Sequence, residues 1–328
     1  MDVASIDQCL RRLANYPFYG AVPLRDPQQE VDVWLWGAGE PLNVTRNNVV
    51  AALKPFTLGV MIRRDDQRSV EGRELLLCMH ERASNQMLGQ IYLKAVDSVE
   101  LPEHRLWLLE TGKSVNYSAP ASRIWLYHLN IKAQAERRQR KNPYNFQMTQ
   151  PGLEASFVFY ICPRPVVLVS VEHEGTDNIF PMDLIGPTDS CWFSMALRTT
   201  SPAVQLMQQS RRMALASVPF TYREIAYDLG KHHKIAKIDW EQLPFDTTES
   251  PLFGLKVPQA ALRVREVRVK DFRVVGSHCL FITSVERDTV PRRLSEGLEG
   301  LQLFHTFTSH RQYHSRYQKS FGFDVPLG

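Results

Sequence analysis

The sequence of 328 residues predicts a mainly β fold with a few helices. Three observations carry that prediction. The second half contains a series of short, apolar, β-branched runs. Glycine, proline and asparagine turns separate them. Only two segments in that half have a full set of helix-start signals. Strands that outnumber helices in this way argue for a barrel-like β domain, because an alternating βαβ sheet would need a helix in each crossover.

The strands of the second half are expected at Phe157–Ile161, Val166–Val171, Cys191–Leu197, Met213–Val218, Arg263–Val269, Cys279–Val285 and Leu301–Thr308. One helix should open with Ser201 as N-cap and Pro202 as its first residue, burying Ala203, Leu206, Met207 and Ser210 on one face. A second should begin at Thr221, with Glu224 as capping-box partner, and end at Gly230. The first half is less regular. Val31–Trp36, Glu74–Met79, Gln90–Leu93, Leu106–Leu109 and Ile124–Leu129 read as strands or short buried segments, and Asn47–Leu53 as a short helix stopped by Pro55. Lys132–Lys141 is helix-prone, and Asn142-Pro143-Tyr144-Asn145 is a turn signal after a charge run. Two domains, 1–145 and 152–328, follow from this break, the first an α+β unit of unknown role.

Composition bounds the function. Hydrophobic residues make up 44% and charged residues 23%, as in an ordinary globular protein. No apolar run approaches the roughly 20 residues of a spanning helix, and Met1-Asp2-Val3-Ala4-Ser5 has no basic head before an apolar stretch, so a cytoplasmic protein without membrane contact is expected. The net charge of +4 is mild, and its one cluster, Arg137-Arg138-Gln139-Arg140-Lys141, reads as a solvated helix end, so no nucleic-acid partner is expected. The five cysteines form no CxxC pair, which leaves no zinc or disulfide framework; Cys78, Cys191 and Cys279 lie in apolar runs and should be buried free thiols. Gly37-Ala38-Gly39 lacks the third glycine of a dinucleotide loop, and Pro41 stands where the helix should start. His232-His233 are adjacent and have no partner cluster, so no metal site is expected.

One segment stands out chemically. Arg198-Thr199-Thr200-Ser201-Pro202 places a guanidinium and three hydroxyls on the turn that opens a helix, where amides and the helix dipole favour an anion. Taken alone, it reads more simply as a helix cap beside a solvated arginine. It belongs, however, to an ordered series. Cys162-Pro163-Arg164-Pro165 leads into Val166–Val171; Gly175 and Asn178–Gly186 follow; then come Arg198–Ser201, Gly230–Trp240 and Gly276-Ser277-His278 before Cys279–Ile282. This order, over residues 152–313, resembles the flavin reductase-like, FMN-binding split-barrel family.

The resemblance implies FMN, or else FAD, as cofactor and NAD(P)H as electron donor. It implies a phosphate site at Arg198, Thr199, Thr200 and Ser201, and ring contacts from Asn178 and from the backbone of Met182, Asp183 and Leu184. The chain departs from the family at Thr188-Asp189-Ser190, where a proline pair is usual. His278 would be the catalytic residue, near the phosphate or the nicotinamide or acting as a proton relay. His305, His310 and His314 read as surface or interface residues. The expected activity is hydride transfer from NAD(P)H to bound flavin, with a further small-molecule substrate. The alternatives are a non-catalytic flavin- or partner-binding protein and the related pyridoxamine-phosphate-oxidase-like barrel. Family members dimerise around the flavin, so a homodimer is expected. The other expectation is a monomer whose first half is a degenerate second barrel, a reading prompted by an echo of Cys162–Val167 in Lys54-Pro55-Phe56-Thr57-Leu58-Gly59-Val60.

Overall fold

In the computed structural model, which describes residues 17–66, 70–141, 147–290 and 300–309, the chain forms two seven-stranded antiparallel sheets. After β1 (Pro17–Leu24), the first sheet is made of β2 (Val31–Trp36), β3 (Leu42–Asn43), β4 (Asn48–Leu53), β5 (Phe56–Arg63), β6 (Glu74–Glu81), β7 (Met87–Glu100) and β8 (His104–Asn116). Helices α1 (Ala121–Lys141) and α2 (Gln150–Phe159) and the short β9 (Arg164–Pro165) lead to the second sheet. Its strands are β10 (Val167–His173), β11 (Thr176–Met182), β12 (Ile185–Pro187), β13 (Trp192–Arg198) and, after α3 (Pro202–Ser210), β14 (Arg212–Ser217). A long excursion holds α4 (Arg223–Asp228) and the small hairpin of β15 (Thr247–Glu249) and β16 (Lys256–Pro258). The hairpin of β17 (Arg263–Val275) and β18 (His278–Thr289) completes the sheet, and β19 (Gln302–Ser309) pairs with β1 on one side and β9 on the other.

The two sheets have one topology. Across the first, the order is β3-β2-β6-β7-β8-β5-β4; across the second, β11-β10-β14-β17-β18-β13-β12. Counted along the chain, both read second, first, fifth, sixth, seventh, fourth, third. Each curls into a half-barrel, so the split-barrel architecture is present and the first half repeats the topology of the second. The copies differ in their connections. In the second, α3 fills the link from β13 to β14; in the first, the corresponding link at 64–73 carries no helix among its described residues. A tight turn joins β6 to β7, whereas residues 218–262 separate β14 from β17.

The sheets are fastened to each other through β4. Its six residues run NVVAAL and alternate between the two cores: Val50 faces the core of the first sheet, while Val49 and Ala51 join Met61, Leu106 and Leu108 against Ala196, Leu280 and Ile282 of the second. Burying a side chain of that size stabilises by about 1.5–3 kcal/mol, so parting the sheets exposes several such contributions at once. Polar contacts fix the register. The amides of Leu53 and Lys54 donate to His278 Nδ1 (3.4 Å) and Ser277 Oγ (3.1 Å), and the Ser277 amide donates back to the Lys54 carbonyl (2.9 Å).

Several local expectations need correction. Asn47–Leu53 is not a helix: burial on both faces favours the strand, and the residues pair with β5. Phe157–Ile161 is not a strand, because Thr149 Oγ1 accepts the Gly152 amide (3.3 Å) and nucleates α2, whose second half is wholly buried. Ile124–Leu129 lies in α1, with Ile124 and Tyr127 buried at helical spacing. Thr221 starts no helix; a 3-10 turn at Phe220–Tyr222 precedes α4, and a second, Leu229–Lys234, follows it. Cys191 is exposed, while Cys78, Cys162 and Cys279 are buried. The echo at Lys54–Val60 falls at the wrong place, since β2, not β5, is the counterpart of β10. Gly37 and Gly39 sit in the β2–β3 turn. Cys9, Asn142–Asn145, His310 and His314 lie outside the described residues. No helix among the described residues is long and apolar enough to cross a membrane, and no group of three or more His, Cys, Asp or Glu is placed to hold a metal ion.

Gly276 tests the seam. Its φ is +50°, and a Cβ there would lie 2.3 Å from the Lys54 carbonyl oxygen and 2.8 Å from Pro55 Cδ. Gly276→Ala should therefore destabilise the chain by about 2 kcal/mol or more. Gly175→Ala, also at positive φ (+73°) but with nothing within 4 Å, should cost only about 1 kcal/mol. Urea denaturation monitored by tryptophan fluorescence compares the two.

Candidate flavin site

The site is built where β13 ends. Antiparallel pairing of β13 with β18 sets Arg198 opposite His278, and the Thr199 amide donates to the Ser277 carbonyl (3.2 Å). The chain then turns: the Ser201 amide donates to the Arg198 carbonyl (2.9 Å), Ser201 is extended at φ −77° and ψ 128°, and Pro202 begins α3. Arg198, Thr199 and Thr200 are exposed at this helix start. Ser201 is the N-cap by position, but its hydroxyl donates to the His233 carbonyl (2.8 Å) and makes no cap bond.

That bond ties the turn to β11. As an edge strand, β11 presents alternate carbonyls to one side, and the 3-10 turn at Leu229–Lys234 covers them. His232 Nδ1 donates to the Ile179 carbonyl and His233 Nε2 to that of Pro181, each at 2.8 Å. Asn178 Nδ2 donates to the carbonyls of His232 (3.2 Å) and Ile235 (2.8 Å). The side chain of Asn178 thus secures the turn, and the paired histidines are edge caps. His233 lies between two charges, the Arg198 guanidinium and the Asp183 carboxylate; burial, on balance, holds its pKa down.

Beyond Pro181, Met182 points into the core of the second sheet, while Leu184 packs where the two copies meet and accepts the Ala196 amide (2.9 Å). Asp183 has an unexpected set of partners. Its Oδ2 accepts from Tyr19 (3.1 Å), Tyr160 (3.2 Å) and His305 Nδ1 (2.9 Å). Burial alone would raise this carboxyl, but the hydrogen bonds from His305, Tyr19 and Tyr160 outweigh it and hold the pKa below the usual range. His305 is therefore not a surface residue; it is 7% exposed and stacks on Tyr227 at 5.7 Å. No local motif marks Tyr19, Tyr160, Tyr227 and His305 as a group, because β1, the end of α2, α4 and β19 meet only in the folded chain.

The structure thus gathers Arg198–Ser201, Ser277–His278 and the Pro181–Leu184 segment along one path, with Asn178 set behind it as a support. An anionic group fits at Arg198–Thr200, where one cation, two exposed hydroxyls and the start of α3 converge. His278 is 1% exposed, and Ser277 Oγ lies 2.8 Å from its Nδ1. Arg164, of the Pro-Arg-Pro lead-in, is buried too: it donates to Asn48 of the first sheet and lies 3.9 Å over the Phe159 ring.

Burial, with a smaller contribution from the Arg198 charge, lowers the His278 pKa to about 4. A histidine with a folded pKa below its unfolded value binds fewer protons when folded, so stability falls as pH drops from about 6.5 towards 4. The loss is on the order of 3 kcal/mol over that window. His278→Gln should flatten this acid slope in urea midpoints measured from pH 7 to 4.5. An unchanged slope would place the titration elsewhere.

No protein-family model matches the chain, and no curated protein matches it. Solved structures similar to about half of it include an FMN-binding protein from Thermus thermophilus, 20% identical over 51% of this chain and 95% of that one, with a TM-score of 0.41. Another is the NADH:FAD oxidoreductase of Streptomyces globisporus, 15% identical over 49% and 93%, at 0.40. A third is the styrene monooxygenase flavin reductase of Pseudomonas putida, 17% identical over 42% and 86%, at 0.35.

Proposed function

We infer that the second sheet binds FMN and that the chain is a flavin-dependent oxidoreductase fed by NAD(P)H. One observation carries this reading: the exposed Arg198-Thr199-Thr200 turn opens α3 beside the Ser277–His278 turn, and His233 links it to the Pro181–Leu184 segment. These are the segments whose order resembles the split-barrel flavoproteins. Arg198, Thr199 and Thr200 would hold the phosphate, Ser201 would contribute its backbone, and Met182, Asp183 and Leu184 would line the ring. A flavin held there would supply two-electron chemistry between a nicotinamide donor and a further small-molecule substrate. The protein's own work is to bind and orient. His278, neutral and buried under the turn, positions Arg198 and Ser277.

The first copy takes the place of a partner subunit. Among the described residues of its link at 64–73 there is no equivalent of α3, and we take the second sheet to hold the chain's one flavin. A monomer that carries its own barrel partner, acting in the cytoplasm, completes the reading.

Arg198→Ala and Thr200→Ala should each weaken FMN binding by about 1–3 kcal/mol, the range for hydrogen bonds to a charged group. Titration of flavin fluorescence against the purified chain measures this. Failure of the unaltered chain to bind FMN or to oxidise NAD(P)H would sink the reading. A yellow protein that consumes no NAD(P)H would favour the non-catalytic flavin binder.

A further inference from the structure

The three donors on Asp183 are more than a carboxylate needs to stay in place, and they come from three separate parts of the chain. Tyr19 is on β1, Tyr160 follows α2, and His305 is on β19. All three address Oδ2. Because this oxygen accepts only, His305 Nδ1 donates to it, and Nε2 on the far side of the ring pairs with the Tyr227 hydroxyl at 2.9 Å. Tyr227, its pKa raised by burial and by the nearby Asp183 charge, stays a phenol and holds the imidazole ring in place from the side away from Asp183. The chain Tyr227–His305–Asp183 is therefore a directional lock on one carboxylate oxygen. The other charged or titratable neighbours are Arg164, opposite His305 in the β9–β19 pairing, Arg223 beside Tyr227, and His233 beyond Pro181.

The second oxygen is left out of the lock. Oδ1 accepts no hydrogen bond among the described residues, and the Asp183 side chain is 29% exposed although its neighbours His305 and Tyr160 are closed off. An ionised oxygen with fixed orientation, at the edge of a candidate binding path and unable to turn, is a recognition element for a hydrogen-bond donor. An oxidised isoalloxazine ring has one N–H, at N3. We propose that Asp183 Oδ1 is the acceptor that reads the N3–H of the bound flavin, with His305 and Tyr227 as the residues that position it. This deepens the reading of the second sheet as a flavin site and rests on it.

The lock makes the test sharp. Tyr19, Tyr160 and His305 all need an acceptor, so in Asp183→Asn the amide must turn its oxygen to them and present its NH₂ to the ligand. Donor then meets donor. FMN affinity, read by fluorescence titration, should fall by about 10- to 100-fold, on the scale of a buried polar group left unpaired. N3-methyl-FMN supplies a readout that needs no variant: the unaltered chain should bind it at least tenfold more weakly than FMN, and Asp183→Asn should lose most of that preference. Tyr227→Phe keeps the stacked ring but removes the hydroxyl that pairs with His305 Nε2, and should weaken FMN severalfold while leaving discrimination in the same direction. Equal binding of FMN and its N3-methyl form to the unaltered chain overturns the proposal, as does discrimination that survives intact in Asp183→Asn. A chain that binds neither flavin overturns the underlying flavin reading as well, so the two failures are told apart.

Discussion

The seam between the two sheets is the constraint on which the rest of the molecule depends. Leu53 and Lys54, at the end of β4, exchange hydrogen bonds with Ser277 and His278, at the start of β18, and the cluster around Val49, Met61, Leu106, Leu280 and Ile282 lies behind them. The same Ser277 accepts the Thr199 amide, and His278 faces Arg198. The Arg198–Ser201 turn is therefore braced by the first copy of the fold. A single sheet would leave β4's partner surface, including Ala196 and Leu280, open to water. The brace comes from the same chain.

The two copies differ in their connections. Two seven-stranded sheets of one order differ at the link that in the second sheet contains α3, and at the excursion 218–262 that supplies His232, His233 and Tyr227. Those additions cover the open edge of β11 and complete the Asp183 network. The polar turns at Arg198–Ser201 and Ser277–His278 thus belong to the second copy, and β4 of the first supplies a packing face against it. Arg164 shows the division within one residue, buried in the second copy's lead-in and held by Asn48 of the first.

Much of the second sheet was legible in the sequence because its strands announce themselves locally. Cys279–Val285 and Arg263–Val269 alternate or run apolar between turns, and Ser201-Pro202 marks the start of α3. Where one residue serves two cores, the local signal fails. Val49–Leu53 has no polar face, so its period cannot tell helix from strand, and only the second sheet lying against it decides. Phe157–Phe159 misleads in the opposite way, since a helix buried all round looks like an apolar strand. The echo at Lys54–Val60 points to a repeat but in the wrong register, because what the copies share is strand order, which five or six residues do not encode. The Arg198–Ser201 turn was readable for the same reason that α3 was: its residues are consecutive. The Asp183 network was not, with 122 positions between Asp183 and His305 and 164 between Asp183 and Tyr19.

The central claim is that one chain, using its first half as a built-in partner, forms one complete flavin site. Sedimentation of the FMN-saturated protein, recorded at the flavin absorbance band and at 280 nm together, tests it most directly. The account predicts a single species with the mass of one chain and one flavin per chain. A species of two chains that carries flavin only as a dimer, or a chain that carries two flavins, would contradict it.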